Sequence, residues 1–175
     1  MRVEQHRLPL GVVGAIIPWN FPLLLMAFKL PAALLAGNTI IIKPAPTTPL
    51  ATLKIGEIMA GTFPAGVVNV VTDQNDLGGY LTQHPDVAKI SFTGSSATGK
   101  KVMASAATSL KRLTLELGGN DAAIVLPGAD PASVAQGIFN GAFLNAGQVC
   151  IAVKRAYVHE SIYDDVVDRL SLIHI

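Results

Sequence analysis

Short apolar runs, several of them rich in Val and Ile, recur along this chain and are separated by stretches that carry helix signals. They occupy residues 11–17, 39–42, 67–71, 87–92, 113–117 and 122–126. A continuous apolar run of this length predicts a strand buried on both faces, as in a parallel sheet. Between the runs, Thr48-Pro49 reads as an N-cap with proline at the first helical position, opening a helix to about Gly61. Ser95-Ser96 precedes a helix through Ala107, and Asp130-Pro131 repeats the cap-plus-proline signal for one to about Ala146. Ser161 opens a last helix. Strands separated by helices build βαβ units, so the predicted class is α/β, with ligands expected at the carboxyl ends of parallel strands.

Composition narrows the function classes. Half of the 175 residues are hydrophobic and 14% are charged, against about 25% charged in an average soluble chain. Such a chain is not disordered, because disordered segments lack the apolar area to bury. Thirteen Lys and Arg against twelve Asp and Glu leave a net charge of +1, so no global field points to nucleic acid or an anionic membrane. A single cysteine can form no internal disulfide, which favours a reducing, cytoplasmic compartment, and it cannot build a multi-cysteine zinc site. The most apolar stretch, residues 21–36, contains Pro22, Lys29 and Pro31. It falls short of the roughly 20 uninterrupted apolar residues of a membrane span and reads as a buried helix. The N-terminus has no apolar core after its early charge and is not a secretory signal. The excess of apolar over charged residues also suits the interior of a larger protein whose covering parts lie elsewhere.

Several motifs carry chemistry. In Ile90-Ser-Phe-Thr-Gly94-Ser95-Ser-Ala-Thr-Gly99-Lys100-Lys101 a strand runs through glycine into a helix N-terminus, a junction suited to an anion. It misses the dinucleotide fingerprint G-x-G-x-x-G because position 96 is Ser. It also misses the P-loop, because Lys101 stands where a metal-binding hydroxyl belongs. Taken alone it is equally a phosphate contact or a tight strand–helix turn. Cys150, in Phe143-Leu-Asn-Ala-Gly147-Gln148-Val-Cys150, reads by itself as an inert buried residue. Glu116, inside Leu113-Thr-Leu-Glu116-Leu-Gly118-Gly119-Asn120, is either an exposed strand-face residue or a buried carboxylate whose pKa is raised by desolvation. The two glycines after it would let something approach the end of the strand. Asn20, between aromatics and prolines in Pro18-Trp19-Asn20-Phe21-Pro22, could aim an amide or form an Asx turn. Lys43 ends a strand before Pro44, where it meets a cofactor or solvent.

Together the set resembles the aldehyde dehydrogenase superfamily: Pro18-Trp19-Asn20-Phe21-Pro22, Lys43-Pro44, Phe92-Thr93-Gly94 with Gly99, Leu115-Glu116-Leu117-Gly118-Gly119-Asn120, and Gly147-Gln148-x-Cys150. Order and spacing match over about residues 7–169, including the 34 residues from Glu116 to Cys150. The resemblance implies an oxidoreductase that converts an aldehyde to a carboxylic acid with NAD, or NADP. Cys150 is then the nucleophile, whose thiolate attacks the aldehyde carbonyl, and Asn20 the oxyanion donor. Hydride passes to the nicotinamide and leaves a thioester, which water activated by Glu116 hydrolyses. Lys43 lies near the adenosine ribose, Gly94, Ser95 and Gly99 form the turn at the pyrophosphate, and Ile17, Trp19 and Leu117 complete the cofactor side. No metal is implied.

The same resemblance implies a Rossmann-like cofactor domain over residues 1–118, of which 1–9 could belong to an oligomerisation arm. Residues 119–175 then begin an α/β catalytic domain, and the whole protein is expected to be a homo-oligomer. Two departures stand out. Pro46 occupies the place where many NAD-preferring members carry a ribose-binding glutamate, which leaves NAD against NADP open, with NAD favoured. Family members are also much longer, so the chain reads as a fragment, inactive by itself. Rival readings are a coenzyme A-acylating relative, disfavoured by a water-activating Glu116, a P-loop NTPase, and a non-catalytic relative that keeps the fold.

Overall fold

The first strand, β1 (Val12–Ile16), buries both faces, as an uninterrupted apolar run requires. Val13 and Ala15 join one cluster with Ile40 and Ile42, whereas Ile16 joins another with Ile90 and Phe92. Fully burying an aliphatic side chain of this kind is worth about 1.5–3 kcal/mol, and Ile40, Ile42 and Ile90 are each all but inaccessible. Around β1 stand β2 (Thr39–Lys43), β3 (Val68–Val70), β4 (Val87–Thr93) and β5 (Arg112–Glu116). All neighbours are parallel, in the order β3-β2-β1-β4-β5. This computed structural model describes residues 3–6 and 8–173, and the chain divides between Leu117 and Gly118 into two units.

In the first unit, α1 (Pro22–Ala27), α2 (Leu30–Leu35) and α3 (Leu50–Ala60) cover one face of the sheet through Met26, Leu30, Ala33, Ile55 and Met59. The opposite face receives α4 (Leu77–Gln83) and α5 (Ser96–Ala107), whose Val102 packs with Val87, Ile90 and Phe92. Asn38 ties the entry of β2 to that of β1: its Oδ1 accepts from the amides of Leu10 and Gly11, and its Nδ2 donates to the Ala33 carbonyl. The chain runs outward from β1 through β2 to β3, then returns to place β4 on the other side of β1. The strand order therefore reverses between β1 and β4, where open parallel sheets bind ligands.

The second unit pairs β6 (Asp121–Val125) with β7 (Val153–Val158) in parallel, and packs α6 (Pro131–Phe143) against α7 (Tyr163–Ile173). Its buried apolar residues are Ala135, Ala152 and Val166, whereas Ile124, Leu126, Ile151 and Tyr157 are exposed.

All six apolar runs are strands, but several details differ from the sequence reading. Residues 21–36 form two short helices and not one buried helix, and Leu23, Leu24, Phe28 and Leu35 are exposed. Pro31, at the start of α2, has no N–H to continue the ladder from α1. Pro49 and not Thr48 is the N-cap of α3, and no side chain caps that helix. Ser95 and Asp130 do cap, accepting from the amides of Thr98 and Ser133. The last helical segment opens at His159, which accepts from the Ser161 amide, and runs through a short turn, Glu160–Ile162, into α7. Helix α6 stops at Phe143, before Ala146. Residues 1, 2 and 7 of the suggested arm, and His174 and Ile175 of the tail, lie outside the described residues. Among the described residues no helix is long and apolar enough to cross a membrane.

Candidate functional site

The carboxyl ends of β1, β2 and β4 open into a cavity of about 710 Å³. Ile17, Pro18 and Trp19 enter it from β1, Lys43 and Pro46 from β2, Asn75, Gly78 and Gly79 from the segment after β3, and Thr93, Gly94 and Ser95 from β4. One face of α5, through Thr98, Lys101, Val102 and Ser105, completes the wall. Five of the residues expected to hold a cofactor, Ile17, Trp19, Lys43, Gly94 and Ser95, thus converge on one space. The remaining two, Gly99 and Leu117, pack on each other instead: a Cβ at Gly99 would overlap the Leu117 side chain, so glycine lets α5 lie close to the end of β5. A Cβ at Gly94 would likewise run into the Phe92 ring, so the turn between β4 and α5 can be this tight only with glycine.

The lining fits a dinucleotide. The amide end of a twelve-residue helix, α5, begins beside Gly94 and Ser95 and favours an anion. Thr93 Oγ1 is buried at the same edge with no hydrogen-bond partner in the structure. Such a group costs free energy unless a bound molecule satisfies it. Lys43 supplies a cation. It meets neither solvent nor an open cavity floor alone, because its Nζ lies 2.8 Å from Asp73 Oδ1, with the two side chains 4% and 0% exposed. The lysine also donates to the Pro44 carbonyl, and Asp73 Oδ2 accepts from the Leu77 amide. Burial works to raise the Asp73 carboxyl, but the hydrogen bonds from Lys43 and Leu77 outweigh it and hold the group below the ordinary aspartate value.

Glu116 ends β5 opposite Thr93 of β4. Its carbonyl accepts from the Gly94 amide, which ties the end of that strand to the turn at the cavity. Its side chain is exposed, so the buried-carboxylate reading fails: Arg112, Thr114 and Glu116 all stand on the uncovered face of the strand. On the adjoining strand, Ser91 accepts from Lys29 Nζ at 3.1 Å, and Thr114 Oγ1 accepts from Lys89 Nζ at 2.7 Å. Burial lowers the Lys29 ammonium, the Glu116 charge opposes that shift and Lys89 adds to it. Asn20 is half-buried just after β1 and engaged in interactions of its own.

In the second unit, Cys150 is an exposed free thiol, not the inert buried residue that its apolar neighbours suggest. It follows a 3-10 turn, Leu144–Gly147, in which Asn145, Ala146 and Gly147 all have positive φ. Consecutive left-handed residues, two of them not glycine, are sterically costly and recur where function fixes the backbone. Gly119 lies against the Cys150 carbonyl so closely that any Cβ there would overlap it. The second glycine of the pair, Gly119, therefore makes room for the cysteine segment itself.

Sequence reasoning missed Thr93, Lys101 and the α4 glycines as cavity residues, and Asp73 as the ion-pair partner of Lys43. In the sequence Lys101 stands out only as a departure from a P-loop, although positions 98, 101, 102 and 105 share one face of α5. Asp73 left a fainter signal, an Asp four residues before Leu77 in the turn Asp73-Gln-Asn-Asp-Leu.

A family model described as the aldehyde dehydrogenase family matches residues 2–172. Phenylacetaldehyde dehydrogenase of Pseudomonas fluorescens is 49% identical over 174 residues, which cover 98% of this chain and 35% of that protein. The NAD+ complex of aldehyde dehydrogenase from Bacillus cereus is similar with a TM-score of 0.91 at 44% identity, over 94% of this chain and 34% of that one. An NADP dependent enzyme of E. coli gives 0.92 at 38% identity, over 99% and 38%. The chain thus spans about a third of the length of the relatives it matches. With a family match over nearly every residue and relatives about half identical to it, the chain belongs to the aldehyde dehydrogenase family.

Proposed function

We propose that this chain forms part of the cofactor domain, residues 1–118, and the start of the catalytic domain, 119–175, of a cytoplasmic, homo-oligomeric NAD(P)-dependent aldehyde dehydrogenase. The observation that carries the reading is the cavity at the β1/β4 switch, where Lys43, Thr93 and the Gly94-Ser95 turn gather a cation, an unpartnered hydroxyl and helix amides. Lys43 would hold the adenosine ribose, and Gly94 and Ser95 the pyrophosphate. Bound there, the dinucleotide supplies the hydride acceptor. The test is calorimetric titration of the complete enzyme with NAD and NADP, together with aldehyde-dependent reduction of the nicotinamide. Absence of binding at this cavity removes the reading.

The chain's own residues divide the remaining work. The Cys150 thiolate forms a bond to the aldehyde carbon, and the resulting thiohemiacetal oxyanion is held by the Asn20 amide and the Cys150 backbone N–H. Loss of hydride from that carbon leaves a thioester. Glu116 then takes a proton from water as its oxygen attacks the acyl carbon, and the carboxylic acid departs as the thiol returns. A coenzyme A-acylating relative has no use for that base, and a non-catalytic relative has no use for Asn20, Glu116 and Cys150 together.

Asn20→Ala is expected to slow acylation by roughly 10²–10³-fold, the usual effect of losing one oxyanion donor. Rapid-mixing measurement of the first turnover reads it, and an unchanged rate removes Asn20 from the oxyanion site. The 175 residues expressed alone are expected to give no aldehyde-dependent reduction and to aggregate or bind hydrophobic dye as a loosely packed state. Leu35, Leu50 and Leu110 stand 90%, 80% and 90% exposed, which is the surface such association uses. A monodisperse chain that melts cooperatively and turns over aldehyde would contradict this.

A further inference from the structure

Lys43 and Asp73 form the only buried ion pair among the described residues. Stability alone is a poor reason for it, since apolar residues of similar size often serve a core as well as a buried pair does. Its position is more telling. Lys43 lines the cavity beside Pro46 and Asn75, and Asp73 reaches it from the segment after β3. Building on the dinucleotide reading of this cavity, we infer that Asp73 sets the cofactor preference, selecting NAD over NADP by holding a negative charge against Lys43 beside the ribose site.

The argument begins at Pro46, which offers no carboxylate to read ribose hydroxyls or repel a phosphate. Left to itself, a lysine at this wall would welcome a 2′-phosphate through a charge-assisted hydrogen bond. Asp73 reverses that. Its carboxylate, 2.8 Å from Nζ, cancels much of the lysine's local charge, and a phosphate dianion approaching Lys43 would meet a like charge held against the lysine in poorly solvated surroundings. A neutral ribose hydroxyl incurs no such repulsion. Nζ has three protons, of which two point to Asp73 and to the Pro44 carbonyl, so one remains to donate to the hydroxyl. The Leu77 amide on Oδ2 fixes the carboxylate in place. Asp73 is thus a positioning residue that acts through Lys43.

Calorimetry on the complete enzyme tests this by the ratio of the NADP and NAD dissociation constants, a quantity that general loss of structure does not move selectively. The wild type is expected to bind NAD at least about tenfold more tightly, and Asp73→Asn to lower that preference by roughly tenfold. Should that variant not fold, the double change Lys43→Met with Asp73→Leu replaces the pair by apolar groups and is expected to bring the ratio toward one. A wild type that binds NADP as tightly as NAD overturns the inference, as does a folded variant that keeps the wild-type ratio. If the wild type binds neither dinucleotide, the reading of the cavity itself fails and the inference falls with it. If NAD binds and the ratio ignores Asp73, only the inference falls.

Discussion

Cys150→Ala in the complete enzyme is expected to reduce aldehyde oxidation by a factor on the order of 10⁴ or more, while NAD affinity stays within about twofold of wild type. The asymmetry is the point. A thiol that forms the bond to substrate is a reactant, so no neighbouring group can replace it, and methyl in its place leaves the cofactor cavity untouched. Every residue lining that cavity belongs to the first unit, residues 105 and below, whereas Cys150 lies in the second. The segment that carries it is held by its own means: positive φ at Asn145, Ala146 and Gly147, and the bare Cα of Gly119 under the Cys150 carbonyl. Alanine at position 150 disturbs none of these. Steady-state turnover beside a binding isotherm separates the outcomes. Turnover near wild type would remove Cys150 as the nucleophile, and a parallel loss of NAD binding would make its role structural.

Glu116→Gln is expected to lower steady-state turnover by roughly 10²–10⁴-fold, the range for losing a general base, and to leave the first turnover nearly intact. Glutamine keeps the size and hydrogen-bonding reach of the side chain but cannot take a proton from water. Acylation of Cys150 needs no such transfer to Glu116, so reduced cofactor should appear as a burst, one equivalent per active site, followed by a slow phase. The Glu116 carbonyl bond to the Gly94 amide is a backbone contact and survives the substitution. A variant with no burst and a slow first turnover would place Glu116 in acylation instead. Wild-type steady-state rates would remove it from the mechanism.

The parts of the fold legible in the sequence were those written in one local pattern. Strands β1, β2 and β4 show as apolar runs because both their faces are buried, and Ser95 and Asp130 are true caps because a short side-chain oxygen sits directly before a helix. Strand β7 escaped because Lys154 and Arg155 interrupt it on an exposed face, and α4 escaped because Gly78-Gly79 lowers its helix propensity. The cavity was legible where motif and strand end coincide, since Ile17, Trp19, Lys43, Gly94 and Ser95 all line it. Burial was not. Glu116 sits in apolar sequence yet is exposed, because Leu115 and Leu117 face the core, and Cys150 is exposed together with its neighbour Ile151, while the charged Lys43 and Lys29 are buried. The Lys43–Asp73 pair joins residues 30 apart in the chain, and only the pairing of β2 with β3 brings them together.

The central claim, that this chain carries the thiol on which an aldehyde is oxidised, is met most directly by mass spectrometry of the trapped intermediate. Complete enzyme bearing Glu116→Gln is mixed with aldehyde and NAD, quenched in acid during the slow phase and digested. The peptide containing Cys150 should gain the mass of one acyl group, absent when NAD is omitted or when Cys150 is alanine. An enzyme that reduces NAD with aldehyde while its Cys150 peptide stays unmodified, or whose acyl group rests on another residue, would contradict the account.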